Sequence, residues 1–192
     1  TAGRGGYSAN VTHELLHQWA AYLNSSLGLT DGTRHYHMRS SVGSLLGGHL
    51  WRSNDLGGFT LICEEGRNGA THAAPLDKYL MGLIEGSAVP TLRRYPESWM
   101  PPLLLCNTNL TVFERTVTMA NIQALHGVRA PGPAGAQRRF ALAFVTETHQ
   151  RHFNPVEMTF YEILAAHYTR PLPPAQPAPY VGQNWASMDR FF

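Results

Sequence analysis

Lysine is all but missing from this 192-residue chain: Lys78 is the only one, and the other basic side chains are arginines. Charge is scarce altogether, at 15% of residues, where a soluble domain usually carries about a quarter. The net charge is +2, and no basic run is longer than the pairs Arg93-Arg94 and Arg138-Arg139. That balance excludes a nucleic-acid-binding surface built on basic clusters. No stretch approaches eighteen uninterrupted apolar residues, which excludes a membrane-spanning helix. Cysteine is limited to Cys63 and Cys106, too few for a disulfide-rich scaffold; the two form one bridge or stay as two buried thiols. The chain does not start with Met, so the expectation is a processed product or a fragment.

Apolar residues, by contrast, make up 43% of the chain, enough to bury a core in a single domain of this length. The expected domain runs over 1–170. A proline-rich extension, containing "RPLPPAQPAP", follows over 171–192.

Periodicity predicts a helix over "VTHELLHQWAAYL", where Val11, Leu15, Trp19 and Leu23 recur every four residues. Residues 24–60 are rich in turn signals. "FTLICEE" reads as a strand and "APLDKYLMGLIEG" as a second helix with Pro75 in its first turn. Residues 89–105 are punctuated by proline and read as irregular. "TVFERTVTM" alternates as a strand, "MANIQALHG" is a short helix closed by Gly127, "QRRFALAFVTET" is a strand and "NPVEMTFYEILAAHYT" a third helix. The fold class is α+β.

The chemistry concentrates in "HELLH", residues 13–17. Side chains at i and i+4 lie one turn apart on one helix face, so His13 and His17 can approach one ion together. A glutamate directly after the first histidine can hold and deprotonate a water on that ion. The plainer reading is an amphipathic helix with two polar histidines on its solvent side. Further histidines at 35, 37 and 49 weigh against it, and zinc is the expected ion.

A third ligand is then needed, and a fourth would argue for a structural ion instead of a catalytic one. The long pattern H-E-x-x-H-x-x-G-x-x-H fails, because Ala20 and Leu23 occupy its later positions. His35 and His37 alternate about Tyr36 and would share a side in an extended segment. Asp77 is the carboxylate candidate, although a helix N-terminus accounts for an acid there without any metal. Tyr36, His37 and Tyr79 are candidate donors to an oxyanion. Trp19, Trp51 and Trp99 wall a cleft or pack the core.

In the order "HELLHQW", "HYH", "SSVGSLLGGHLW" and "APLDKYLMGLI", the chain resembles a group of mostly bacterial, extracellular zincin-type metallopeptidases. Their patterns run HELGHxW, HW, SxMGGxxW and SPLxLYLMGL. The likeness covers about residues 11–168. It implies that His13 and His17 bind zinc, that Glu14 is the catalytic acid/base, and that His35 is the third ligand. Leu46 stands where the family has a methionine beneath the metal, a substitution of similar volume.

The resemblance implies a zincin-like fold and secretion, and an even cysteine count in an exported domain gives the expectation of a Cys63–Cys106 disulfide. Zincins place a sheet before the active-site helix, and only ten or so residues precede it here. Either that sheet is missing or later strands replace it. The expected activity is hydrolysis of peptide or protein substrates by a zinc-held water that Glu14 activates. The alternative is a non-catalytic zincin-fold module for binding or assembly.

Overall fold

The computed structural model describes residues 12–55, 57–62, 73–97, 107–138 and 152–169. The chain divides into two compact units, Thr1–Ala136 and Gln137–Phe192. Helices and small antiparallel sheets are both present, so the α+β class holds.

The first unit opens on a helical segment, α1, described over residues 12–16. It is much shorter than the expected 11–23. The Leu16 carbonyl accepts from both Trp19 N–H (3.0 Å) and Ala20 N–H (2.9 Å), which tightens the last turn. Ala21 then takes a left-handed φ of 65°, reversing the chain. Its N–H donates to the Tyr36 hydroxyl at 3.3 Å, so a buried side chain from a later loop holds the reversal. Burial shifts accordingly. Leu16, Ala20, Ala21 and Leu23 are buried, whereas Leu15 and Trp19 of the expected stripe are only half-buried.

Residues 20–49 form a long ordered loop with one short 3₁₀ turn, Ser25–Leu27. Leu29, Tyr36 and Leu46 are among its fully buried side chains. A strand sits where turns alone were expected: β1 (Leu50–Ser53) pairs antiparallel with β2 (Phe59–Ile62). Asn54 closes that hairpin, its Oδ1 accepting from Gly58 N–H at 3.0 Å. The strand β2 is the described part of "FTLICEE".

The helix α2 (Pro75–Leu80) has Pro75 in its first turn, as expected, and Gly82, whose φ of 80° suits a helix end, lies just beyond it. The stretch expected to be irregular contains β3 (Leu92–Arg94). "TVFERTVTM" contributes only three residues to a strand. The short β4 (Asn109–Leu110) extends the first sheet to the order β1-β2-β4, and β5 (Arg115–Val117) pairs with β3. Between them, Glu114 bridges Arg39 at 2.9 Å and Arg94 at 3.6 Å, fastening the loop to this second sheet.

The helix α3 (Met119–His126) forms as expected. Its Thr118 cap accepts from Asn121 N–H, Asn121 reaches back to Thr118 N–H at 2.8 Å, and Gly127 closes it. Tyr79 joins α2 to this region, its hydroxyl accepting from Gln123 Nε2 and Arg129 N–H.

In the second unit the described element is α4 (Pro155–Thr169), again as expected. Asn154 and Glu157 exchange hydrogen bonds at its start. Both cysteines, Trp99, the strand expected over 137–148 beyond residue 138, and the extension at 171–192 lie outside the described residues. Among the described residues no helix is long and apolar enough to cross a membrane.

Candidate metal centre

α1 and the loop after it bring His13, His17 and His35 together. One ligand atom from each lies within 4.8 Å of the others, so the group could hold a metal ion. The i, i+4 relation survives the short helix, because His17 N–H still donates to the His13 carbonyl at 3.4 Å. The three rings stand close, with centroids 4.8 to 5.1 Å apart.

Backbone carbonyls fix two of the three rings. Nδ1 of His13 lies 3.0 Å from the Leu45 carbonyl, and Nδ1 of His35 lies 3.1 Å from the Thr33 carbonyl. A carbonyl only accepts, so both Nδ1 atoms carry their proton and donate it. The lone pairs are thereby left on the two Nε2 atoms, which face each other at 3.0 Å. Two lone pairs at that distance repel unless a cation lies between them. Tetrahedral zinc with Zn–N bonds of about 2.0–2.1 Å would set two ligand nitrogens about 3.3–3.4 Å apart, close to this spacing. Carbonyl acceptors behind metal-facing imidazoles are the usual device for fixing tautomer and ring orientation.

His17 differs. Its Nδ1 is buried without a hydrogen-bond partner, an uncompensated polar atom of the kind an ion or water satisfies. Burial, followed by the repulsion of His13 and His35, holds its pKa below the ordinary value against the pull of Glu14; Arg34 also lowers it. A depressed histidine stays neutral, the form that binds metal. Glu14 itself lies outside the histidine group and its side chain is exposed.

The remaining sequence candidates sit elsewhere. His37 does not join the group; its Nδ1 instead accepts from Arg39 N–H at 3.0 Å. Asp77 is fully buried and is no ligand. Its carboxylate accepts from the Tyr36 hydroxyl at 2.7 Å, the Ser44 hydroxyl at 2.6 Å and Ala74 N–H at 2.7 Å. The last of these is the helix-start role that its position suggested. The first two tie α2 to the neighbours of His35 and of Leu45, whose carbonyl orients His13.

Tyr36 and Tyr79 are both buried; Tyr36 gives its proton to Asp77, and the Tyr79 hydroxyl lies with Gln123 and Arg129. Burial, reinforced by Asp77, pushes the Tyr36 pKa up, so it remains a phenol that donates. Trp51 packs on Tyr95 with centroids 4.4 Å apart, on the core side of the choice.

Leu46 is fully buried in the turn "SLLGG". The turn is stitched by reciprocal Ser44–Gly47 backbone bonds of 2.9 Å, and Tyr36 N–H donates to the Leu46 carbonyl at 2.9 Å. Gly47 is required here. Its φ is 114°, and a Cβ would lie 2.5 Å from the Tyr36 carbonyl oxygen. Sequence reasoning missed the two orienting carbonyls, which carry no residue signature, and the Tyr36–Asp77–Ser44 network, whose members lie far apart in the chain.

No protein-family model, curated protein or solved structure matches this chain.

Proposed function

We propose that the chain is a zinc-dependent peptidase of the zincin type, with His13, His17 and His35 as metal ligands and Glu14 as the general acid/base. The observation that carries this reading is the convergence of three histidine donors while His37 turns to Arg39 N–H. Among the described residues, three protein donors leave a fourth position open, the pattern of a catalytic ion. Zinc held there would acidify a water and polarise a substrate carbonyl.

The chain's own residues supply the rest. The Leu45 and Thr33 carbonyls hold two ligands in the competent tautomer. Glu14, exposed beside the ligands, takes a proton from the attacking water and delivers it to the leaving amine. The zincin assignment draws on the order of HELLH, HYH and SLLGG and on the placement of that last turn against His13. The described strands all follow the histidines, so in this reading later strands stand in for an upstream sheet.

The test is metal content and turnover measured on the same preparation. About one zinc per chain and casein or peptide hydrolysis abolished by chelation are expected. A chain that takes up no transition metal refutes the metal assignment. A zinc-loaded chain that hydrolyses nothing refutes the peptidase.

A further inference from the structure

The loop that delivers His35 is a miniature hairpin. Thr30 and Tyr36 pair across it antiparallel, His37 N–H donates to the Leu29 carbonyl at 2.7 Å, and Asp31 N–H donates to the His35 carbonyl at 3.1 Å. Gly32, at a φ of 85°, supplies a left-handed residue at the tip. His35 is thereby set opposite Asp31 on the returning arm.

At this tip the donors run in one direction. Nδ1 of His35 faces the Thr33 carbonyl at 3.1 Å and so carries its proton. The Thr33 hydroxyl oxygen lies 3.2 Å from the same Nδ1. A hydroxyl has one proton, and here it goes to Asp31 Oδ1 at 2.6 Å. The oxygen is then left to accept from His35, shared with the carbonyl. The order is imidazole N–H to hydroxyl, hydroxyl to carboxylate. His13 differs, because its Nδ1 donates to the Leu45 backbone carbonyl.

Turn formation explains only part of this. Asp31 Oδ1 also accepts from Thr33 N–H at 2.8 Å, which closes an Asx-turn. Asparagine would close the same turn. The aspartate adds a charge, and the threonine adds a hydroxyl that passes its influence to the ring. Positive charge builds on an imidazole when Nε2 gives its lone pair to a cation. An acceptor at Nδ1 that is itself backed by an anion stabilises that charge.

We propose that Asp31 and Thr33 are positioning residues of the metal centre, the Asp31 carboxylate acting through the Thr33 hydroxyl to orient the His35 imidazole and strengthen it as a donor. The assignment rests on the metal reading above and adds the residues that set the strength of one ligand.

The test measures zinc affinity of the full chain against a competing chelator. Asp31→Asn keeps the turn acceptor and removes the charge. Its affinity should fall about threefold, a small loss because both side chains are exposed to water. Thr33→Val should cost about tenfold, the low end for a group bonded to a ligand, because the Thr33 carbonyl still takes the Nδ1 proton. Thr33→Ser should restore wild-type affinity. Asp31→Asn added to Thr33→Val should cost nothing more, since the relay is already broken. In the zinc-loaded chain the His35 Nδ1–H proton resonance should shift upfield in Asp31→Asn, while that of His13 stays in place.

An Asp31→Asn variant with wild-type affinity and an unmoved His35 resonance overturns the proposal and leaves the metal reading standing; the acid then serves the turn alone. Additive losses in the double variant overturn the relay in the same way. A wild-type chain that takes up no zinc overturns both.

Discussion

At the scale of single residues, the three histidines differ in how they are held, and the difference is measurable. In the proposed metal centre His35 is the third donor, so His35→Ala should strip zinc at concentrations where His37→Ala retains it, read by titration against a competing chelator. A fall in affinity that is largest in His37→Ala would move the ligand there. Glu14→Gln should keep the zinc and lower kcat by about 10²–10⁴-fold, the scale of general acid–base catalysis. Loss of the metal in that variant would show that the carboxylate is a ligand.

The motif residues were legible in the sequence because i, i+4 spacing is enforced by helix geometry at any helix length. The choice of His35 over His37 was open to alternation arguments and was closed by backbone hydrogen bonding, which a sequence does not display.

At the scale of elements, the loop over 20–49 and the helix α2 behave as one piece. Asp77 joins them through Tyr36 and Ser44, and burial makes each of those bonds costly to lose. Asp77→Asn should therefore weaken zinc binding without changing the ligand set, by less than the roughly 10–100-fold typical of losing a group bonded to a ligand itself. Cobalt substituted for zinc would report this as an unchanged spectral type with a lower affinity. A changed coordination number would place Asp77 on the metal. Gly47→Ala should do greater damage, because its Cβ meets backbone with no room to yield, and the turn carrying Leu45 would have to move.

Element identity was readable where helices begin with clear caps or proline, as at Pro75, Thr118 and Asn154. Element length was not. The periodic run 11–23 stops at Leu16 because the Tyr36 hydroxyl captures Ala21 N–H from a loop that local pattern cannot anticipate.

At the scale of the whole molecule, stability should depend on pH through imidazoles that burial or partial burial shifts. Burial pushes His49 below the ordinary histidine value of about 6.5, although its bond to the Met38 carbonyl pulls the other way. Burial lowers His37 as well, with Arg94 and Arg39 adding to the shift, and His17 shifts in the same direction. A lowered pKa means that the unfolded chain binds protons which the folded chain refuses. Stability is then complete above pH 6.5 and declines as pH falls through 6.5 toward the folded values. Urea midpoints measured with chelator present between pH 8 and 5 should show this decline, and His49→Gln should make it shallower. A flat profile would mean that these rings are open to water.

The proposed ligands themselves span a distance along the chain that has its own consequence. His13 and His35 are 22 residues apart, and almost everything between His17 and His35 lacks regular secondary structure. An ion gripping both ends acts as a reversible cross-link, shutting a loop that the unfolded chain would leave open. A disulfide closing a loop of about 15 residues contributes about 3 kcal/mol by that route. The segment 18–34 should resist a protease in the loaded protein and become its first cutting site once the ion is withdrawn.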